Sequence, residues 1–348
     1  PELFASAVSL HHELLARYGT DYDIPPDISS SVLGPYSPVF TWIYYAFSDD
    51  FGAALTSADI STERAQNYYQ ERLDTLERTL NEKYEQTPQV VEYAMTRLSA
   101  ESGNFYYSYG ISSTNAFSSL GLCALLVTLI CVVITAPIFS SDYASGADDI
   151  LHCTRHGRGR LAAAKMGSAL LIDLGVFALC FGSFLAVMYF AFGFDDITSA
   201  ELLQVAFNPQ GLDAMGVLGW IVLSSLLAFL AVNAFTLFVS SRLRSSLGVV
   251  AISAAVALIP TIIRMFMAGG SFGHGFAAEG NLLNWLRLCL PSGGVSLTGA
   301  MMDELTGLRF LWIGDFVTWS PYVMLTATAV QIPIWFALTV RAYRRHGS

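Results

Sequence analysis

Two short motifs in this chain have residue types and spacing that could support chemistry. Residues 269–273 read GGSFG, the GxSxG pattern of hydrolase nucleophiles, and His152 and His156 lie four apart with Cys153 between them. A nucleophile elbow needs a strand before its serine and a helix after it, whereas an apolar run precedes this motif. A closed zinc site needs four ligands, and no third ligand lies near the two histidines. We therefore predict no catalytic serine and no metal site.

Nucleotide hydrolysis by this chain is also excluded by its lysines. A phosphate-binding Walker A loop requires GxxxxGK[ST]. The sequence contains only Lys83 and Lys165, which follow Glu82 and Ala164, so no Gly-Lys pair occurs. We predict that the chain is not an enzyme and binds no cofactor of its own.

Composition and charge divide the chain into two parts. It has 348 residues, of which 53% are hydrophobic and 13% are charged, a composition typical of membrane proteins. Residues 1–112 hold 16 acidic and 6 basic side chains, a net charge of −10, and the remainder holds 12 of each. An acidic surface disfavours nucleic acid, whose phosphates need Lys and Arg. We expect an acidic water-facing domain at 1–112 and a membrane domain at 113–348.

Five charge-poor runs are long enough to cross a bilayer as helices: 116–139, 166–194, 214–241, 245–263 and 316–340. Most of the basic residues that flank them share one side of the membrane. They lie between the first and second runs, between the third and fourth, and after the fifth, whereas 194–213 contains four acidic residues and no Lys or Arg. By the positive-inside rule the basic ends and the C-terminus are cytoplasmic. Residues 1–112 are then outside, which predicts a further transmembrane helix before Pro1; a cleaved signal peptide is the alternative.

The expected outer parts are helical. Residues 62–83 carry Tyr69, Leu73, Leu76 and Leu80 at helical spacing, and Thr87-Pro88 begins a second helix with a stripe of Val91, Ala94 and Leu98. This pair predicts an antiparallel hairpin, either structural or a lid for a substrate or partner. Residues 280–302 are apolar but broken by Pro and Gly, which predicts two short re-entrant helices covered by protein; a full span is the alternative.

Two ionisable side chains lie within or at the edge of the predicted spans. Such residues are functional candidates by default. Asp173 follows Lys165 by eight residues, about 12 Å of helix, so we expect it to face the bundle near the inner boundary. Arg264 is expected to extend toward the outer headgroups.

The polar segment 141–165, SDYASGADDILHCTRHGRGRLAAAK, separates the first two spans on the basic side. An acidic residue ends the span, a small residue and a glycine follow, and then come a short amphipathic stretch, a Thr and an Arg, and a lysine at the next span. These residues are Asp142, Ser145, Gly146, Leu151, Thr154, Arg158 and Lys165. Their order resembles the signature loop of ABC-2-type (type V exporter-like) ABC transporter permeases, over about residues 116–345. Asp142 stands where Glu is usual, and HCTRHGRGR replaces the usual Pro-Val-Ser-Arg type of turn.

The resemblance implies an all-α polytopic membrane protein: a six-helix ABC-2-type transmembrane domain, its first helix before Pro1, with an extracytoplasmic helical domain. It further implies a coupling helix at about 144–155 that docks on a separate ABC ATPase, which binds ATP and Mg. Two ATPases and two permeases, as a homo- or heterodimer, would form the working unit in the plasma membrane. The implied docking residues are Asp142, Ser145, Gly146, Asp149, Ile150, Leu151, Arg155 and Arg158.

By the same resemblance, the spans 116–139 and 245–263 line the substrate path at the dimer seam, with Phe117, Leu120, Asp173 and Arg264 as path or gating residues. The implied activity is export of an amphipathic peptide, drug or lipid-like compound, as in multidrug or antimicrobial-peptide resistance. The alternative is a subunit that senses an antimicrobial peptide outside and transports little. An intramembrane enzyme is disfavoured because the spans carry no paired His/Glu or Ser/Lys constellation.

Overall fold

The computed structural model describes residues 2–37, 39–40, 43, 60–99, 116–153, 159–193, 212–267, 281–297, 301–306 and 309–345. The chain forms two compact units. The N-terminal unit comprises Pro1–Asn115, Phe192–Val217 and Leu305–Val317, and the spanning unit comprises Ala116–Ala191, Leu218–Glu304 and Thr318–Ser348. Residues 101–112, the GxSxG motif at 269–273, His156 and the turn at 154–158 lie outside the described residues.

The described part of the N-terminal unit is mainly helical. Short helical turns at Asp21–Asp23, Pro26–Ile28, Ser29–Leu33 and Gly34–Tyr36 follow the first helix. The longer elements are α1 (Glu2–Tyr18), α2 (Thr62–Gln66), α3 (Tyr68–Lys83), α4 (Pro88–Ser99), β1 (Phe310–Ile313) and β2 (Phe316–Trp319). Its core stacks Phe4 of α1 on Tyr68 of α3, with ring centroids 3.8 Å apart. Burial raises the pKa of the Tyr68 hydroxyl to about 12.

The predicted hairpin is present as α3 and α4, with two changes in detail. The helix predicted for 62–83 is interrupted at Asn67, which links α2 to α3. Ser61 caps α2 by accepting a hydrogen bond from the backbone N–H of Arg64 at 3.1 Å. Because the helix restarts at Tyr68, that residue is buried in place of Tyr69. In α4, Val90 is likewise buried in place of Val91.

The spanning unit holds the remaining elements: α5 (Ala116–Thr135), α6 (Pro137–Ser145), α7 (Ala147–His152), α8 (Gly159–Phe192), α9 (Ala214–Ser240), α10 (Ser246–Met267), α11 (Asn281–Leu288), α12 (Met301–Thr306) and α13 (Ser320–Arg345). Among the described residues, five helical stretches are long and apolar enough to cross a membrane, which confirms the predicted number of visible spans. They are Ser119–Ser145, Gly159–Ala191, Ala214–Ser240, Ser246–Met265 and Ser320–Arg344. The chain therefore has the architecture of a multi-pass membrane protein.

Several boundaries of the predicted spans are wrong; the second span begins at Gly159, seven residues before the expected start at 166. The first span continues through Pro137 to Ser145, six residues beyond the expected end at 139. The last span begins at Ser320 rather than at 316, because Phe316–Trp319 forms β2, paired with β1. The two strands are rich in aromatic and β-branched residues and are joined by Gly314-Asp315, a Gly-Asp hairpin signal. Gly314 adopts a φ of 57° there.

The junction between α5 and α6 depends on a hydroxyl from α9. Pro137 cannot donate a backbone hydrogen bond, so a regular helix is interrupted at this point. The Ser240 hydroxyl accepts from the backbone N–H groups of Phe139 and Ser140, both at 3.1 Å, and donates to the Ala136 carbonyl at 2.7 Å. Ser240 therefore caps the start of α6 from a neighbouring helix.

The segment predicted to be re-entrant, 280–302, contains α11 and a turn at Pro291–Gly294, and the second helix, α12, begins only at Met301. Pro260 of α10 lacks the N–H that would bond the Val256 carbonyl, and the Ser292 hydroxyl donates to that carbonyl at 3.1 Å. From α13, the Gln331 side chain donates to the Cys289 carbonyl at 2.8 Å. Neighbouring helices thus satisfy backbone groups that lipid could not.

Candidate functional site

The polar segment contains a short helix that is separated from the first span by Gly146. This glycine has φ 71° and ψ 10°, and its N–H bonds the Asp142 carbonyl, so it ends α6 in the left-handed region. A Cβ here would meet nothing within 4 Å. Glycine is therefore favoured here because of the left-handed backbone conformation, and not because a side chain would clash with its neighbours.

The bounds expected for the coupling helix, 144–155, are wrong at the start. Residues 144 and 145 belong to α6, and α7 runs only from Ala147 to His152 because Gly146 turns the chain. Ile150 on α7 is 73% exposed, and Leu151 is half-buried. Arg155 and Arg158 lie outside the described residues, as does the side chain of Asp149.

Asp142 forms an ion pair with Lys165 across the segment, from the end of α6 to the start of α8. Both side chains are largely buried, and the Lys165 ammonium also donates to the Ile138 carbonyl at 3.2 Å. Asp142, expected to contact an ATPase, therefore contacts α8 of its own chain. The Ser145 hydroxyl donates back to the Ser141 and Asp142 carbonyls, at 2.9 and 3.1 Å, and so bonds within its own helix.

One end of each of four spans meets at α6. Tyr143 and Phe139 of α6 pack with Met166 of α8, Leu237 of α9 and Tyr343 of α13. The Phe139 and Tyr343 rings lie 5.0 Å apart. The Tyr143 hydroxyl donates to the Ser241 carbonyl at 3.2 Å.

Sequence reasoning missed these supporting residues. Tyr143 could have been identified, because it is the sole Phe, Tyr or Trp of the segment 141–165 and a large aromatic side chain favours a buried position. Ser140 bonds Ser246 at the start of α10 at 2.7 Å. Serines such as Ser140 and Ser240 are common in spans and carried no such signal.

The two ionisable residues of the spans have different surroundings. Asp173 is fully buried and accepts a hydrogen bond from Thr135 at 2.7 Å. Arg264 lies inside α10 and pairs with Asp303 at 3.0 Å and with Glu304 at 3.7 Å. Arg264, which we expected to extend toward the outer headgroups, is bound by acidic side chains of α12.

The ion pairs of Arg264 belong to a larger cluster at the end of the spans opposite α7. Arg287 of α11 contacts the fully buried Glu304 at 2.8 Å, and Asn284 accepts from Arg287 at 3.2 Å. The four charges of Arg264, Arg287, Asp303 and Glu304 balance, which allows them to be buried together. The cluster fixes the re-entrant helices α11 and α12 to α10.

The remaining path candidates, Phe117 and Leu120, are buried near the start of α5, at 2% and 1% exposure. Among the described residues, no group of three His, Cys, Asp or Glu side chains is placed to hold a metal ion. Comparisons with protein-family models, with curated proteins and with solved structures give no match to this chain.

Proposed function

We propose that the chain is the membrane-spanning permease subunit of an ATP-driven ABC exporter, of the ABC-2 type, and that α7 is its docking helix. The observation that carries this proposal is the exposed apolar Ile150 on a six-residue helix at the basic end of the spans. A single exposed isoleucine is common on protein surfaces, so its place also matters: it follows Gly146 in the segment whose residue order resembles the permease signature loop. A separate ATPase subunit is the partner proposed, with ATP and Mg bound there.

The contacts of α6 support a mechanical role for α7. Gly146 joins α7 directly to α6, and α6 is tied to α8 by the Asp142–Lys165 pair. Aromatic packing and the Ser240 cap connect α6 to α9 and α13 as well. A displacement of α7 is therefore transmitted through α6 to α8, α9 and α13, which shift as packed rigid helices. Rigid-body shifts of this kind are a common basis of switching transitions.

Photocrosslinking tests the docking proposal. A benzophenone amino acid is placed at Ile150, and in a second variant at Leu171, which is 74% exposed on α8 within a span. Both variants are irradiated in native membranes, and the crosslinked products are identified by mass spectrometry. We expect a Walker A-containing ATPase at position 150 and lipid alone at position 171. Lipid alone at both positions would refute the docking role.

The exporter proposal requires a second measurement. The permease is purified together with the captured ATPase and reconstituted in proteoliposomes, and ATP-dependent flux of labelled amphipathic peptides is recorded. Gly146→Val should lower the flux and the stimulated ATP hydrolysis together, because a β-branched residue strains the left-handed backbone. Gly167→Ala in α8, where a Cβ meets nothing within 4 Å, is the matched control.

A sensing subunit with little transport is the second candidate. It is favoured by the N-terminal unit, which has its own buried core around Phe4 and Tyr68 and would offer a peptide-binding surface outside. Peptide binding without ATP-dependent flux in the same proteoliposomes would favour the sensor over the exporter.

A further inference from the structure

Asp173 lies in a buried polar cluster formed by three of the spans. Its Oδ2 accepts from the Thr135 hydroxyl of α5 at 2.7 Å. The same hydroxyl lies 3.5 Å from the side-chain oxygen of Asn233 on α9. Asp173, Thr135 and Asn233 are each fully buried. The cluster therefore joins α5, α8 and α9 through one hydroxyl.

The cluster contains no cation to balance an ionised carboxylate. Among the described residues, no Lys or Arg forms an ion pair with Asp173, since Lys165 pairs with Asp142 and Arg264 with Asp303. The titratable group that faces Asp173 is the Cys131 thiol, one turn before Thr135 on α5. From α9 the neutral Asn233 faces it. An isolated buried carboxylate is far more costly than a neutral acid.

The hydrogen-bond inventory also fits a neutral acid. The Oδ1 atom of Asp173 is buried and accepts from no N–H or O–H group of the described residues; the donor that faces this carboxyl group beside Thr135 is the weakly donating Cys131 thiol. An unpaired carbonyl oxygen of a protonated acid is tolerated far better than an unpaired oxygen of a carboxylate. The Asn233 amide donates to the Phe229 carbonyl at 3.0 Å, which leaves its oxygen facing Thr135 as an acceptor.

We propose that the Asp173–Thr135–Asn233 cluster is a proton-binding site within the membrane. With the proton bound, Asp173 donates to the Thr135 oxygen and Thr135 donates onward to Asn233, so that α8, α5 and α9 form one chain of hydrogen bonds. When the proton leaves to water, Thr135 turns its hydrogen to the Asp173 carboxylate and the bond to Asn233 is lost. Proton occupancy therefore decides whether α5 is tied to α9 at this level.

Infrared spectroscopy of the full chain in nanodiscs tests this directly. We expect the C=O stretching band of a protonated carboxylic acid at pH 7, with a shift in D₂O. The band should disappear in Asp173→Asn and persist in Asp142→Asn, which removes an ion-paired carboxylate instead. Identical spectra for the wild type and Asp173→Asn in this region would overturn the proposal.

Two further arms keep the test decisive if Asp173→Asn folds poorly. Thr135→Val keeps the acid and removes its partner, so the band should remain and move to higher frequency; loss of the band would count against the site. Replacing choline by Na⁺ at constant pH and ionic strength should leave the band unchanged. A loss of the band in Na⁺ would assign the site to a metal cation and overturn the proton assignment.

Stability gives an independent readout. A group that is protonated when folded and ionised when unfolded makes folding take up one proton. The folding equilibrium should then weaken tenfold for each pH unit between 6 and 8, and Asp173→Asn should abolish that slope. A slope equal in both proteins would contradict the proposal.

Discussion

Gly294 offers a sharp test of how the re-entrant turn is held against α9. A Cβ built at this residue lies 2.7 Å from the Ser224 carbonyl oxygen and 3.3 Å from the Ala228 side chain. Ordinary contacts begin at 3.4 Å, so the Gly294→Ala variant must open the contact by about 0.7 Å (3.4 − 2.7). The obstructing atom belongs to helical backbone and cannot rotate away as a side chain would.

The expected loss of stability follows from this displacement. Overpacking of a tight contact costs about 1–3 kcal/mol. Opening the turn also weakens two hydrogen bonds, from Ser292 to the Val256 carbonyl and from Gln331 to the Cys289 carbonyl, each with a net contribution of about 1 kcal/mol. We expect a total of about 3–5 kcal/mol, more than a hundredfold in the unfolding equilibrium.

The assay is SDS-driven unfolding of the purified protein in mixed micelles, followed by circular dichroism. Gly219→Ala is the control, because position 219 lies in α9 and a Cβ there meets nothing within 4 Å. Alanine is favoured over glycine in a helix by about 0.5–1 kcal/mol, so this variant should equal or exceed the wild type. Equal stability of Gly294→Ala and wild type would refute the close contact on which the reasoning rests.

Three other perturbations follow from described contacts. Ser240→Ala leaves two buried N–H groups of α6 without their acceptor and should cost about 1–3 kcal/mol in the same assay, whereas Ser183→Ala, on an exposed face of α8, should be neutral; equal effects would contradict the cap. Glu304→Gln removes the carboxylate that lies 2.8 Å from the buried Arg287, while Arg264 keeps Asp303, and should destabilise by about 3–5 kcal/mol; an effect below 1 kcal/mol would mean that the two charges are not coupled. Burial raises the pKa of Tyr68 from 10.0 to about 12. The stability that the neutral hydroxyl contributes is therefore complete below pH 10 and falls by about 3 kcal/mol as pH rises through 12. Tyr68→Phe should flatten this decline in the free energy of unfolding, measured by near-ultraviolet dichroism, and an unchanged decline would contradict the assignment.

The five apolar spans were predictable from the sequence. Long apolar runs form helices wherever backbone groups cannot bond water, so the run of residue types predicts each span without knowledge of its neighbours. The helix end at Gly146 was not predicted, since the expected coupling helix 144–155 ran through it, although a glycine is a typical helix end. The boundaries were less predictable. Pro137 was tolerated within the first span because Ser240 caps the next turn from another helix.

The partners of the ionisable residues could not be predicted in the same way. Asp142, Asp173 and Arg264 were identified as functional candidates from their types and positions. Their contacts with Lys165, Thr135 and Asp303 depend on how the helices rotate about their axes. The nearest of these pairs is separated by 23 residues, and no local pattern sets that rotation.

The sequence by itself determined that five helices of this chain are long and apolar enough to cross a membrane, and that a polar, basic segment separates the first two. These properties follow from local chemistry, because apolar length, charge and glycine act within a turn or two of the residue concerned. Tertiary structure alone decided that Asp142 pairs with Lys165 and that acidic side chains of α12 neutralise Arg264. It also decided that Asp173 and Asn233 of α9 share the buried Thr135 hydroxyl. Each of these depends on side chains from separate helices meeting at about 3 Å, and helix packing sets that distance.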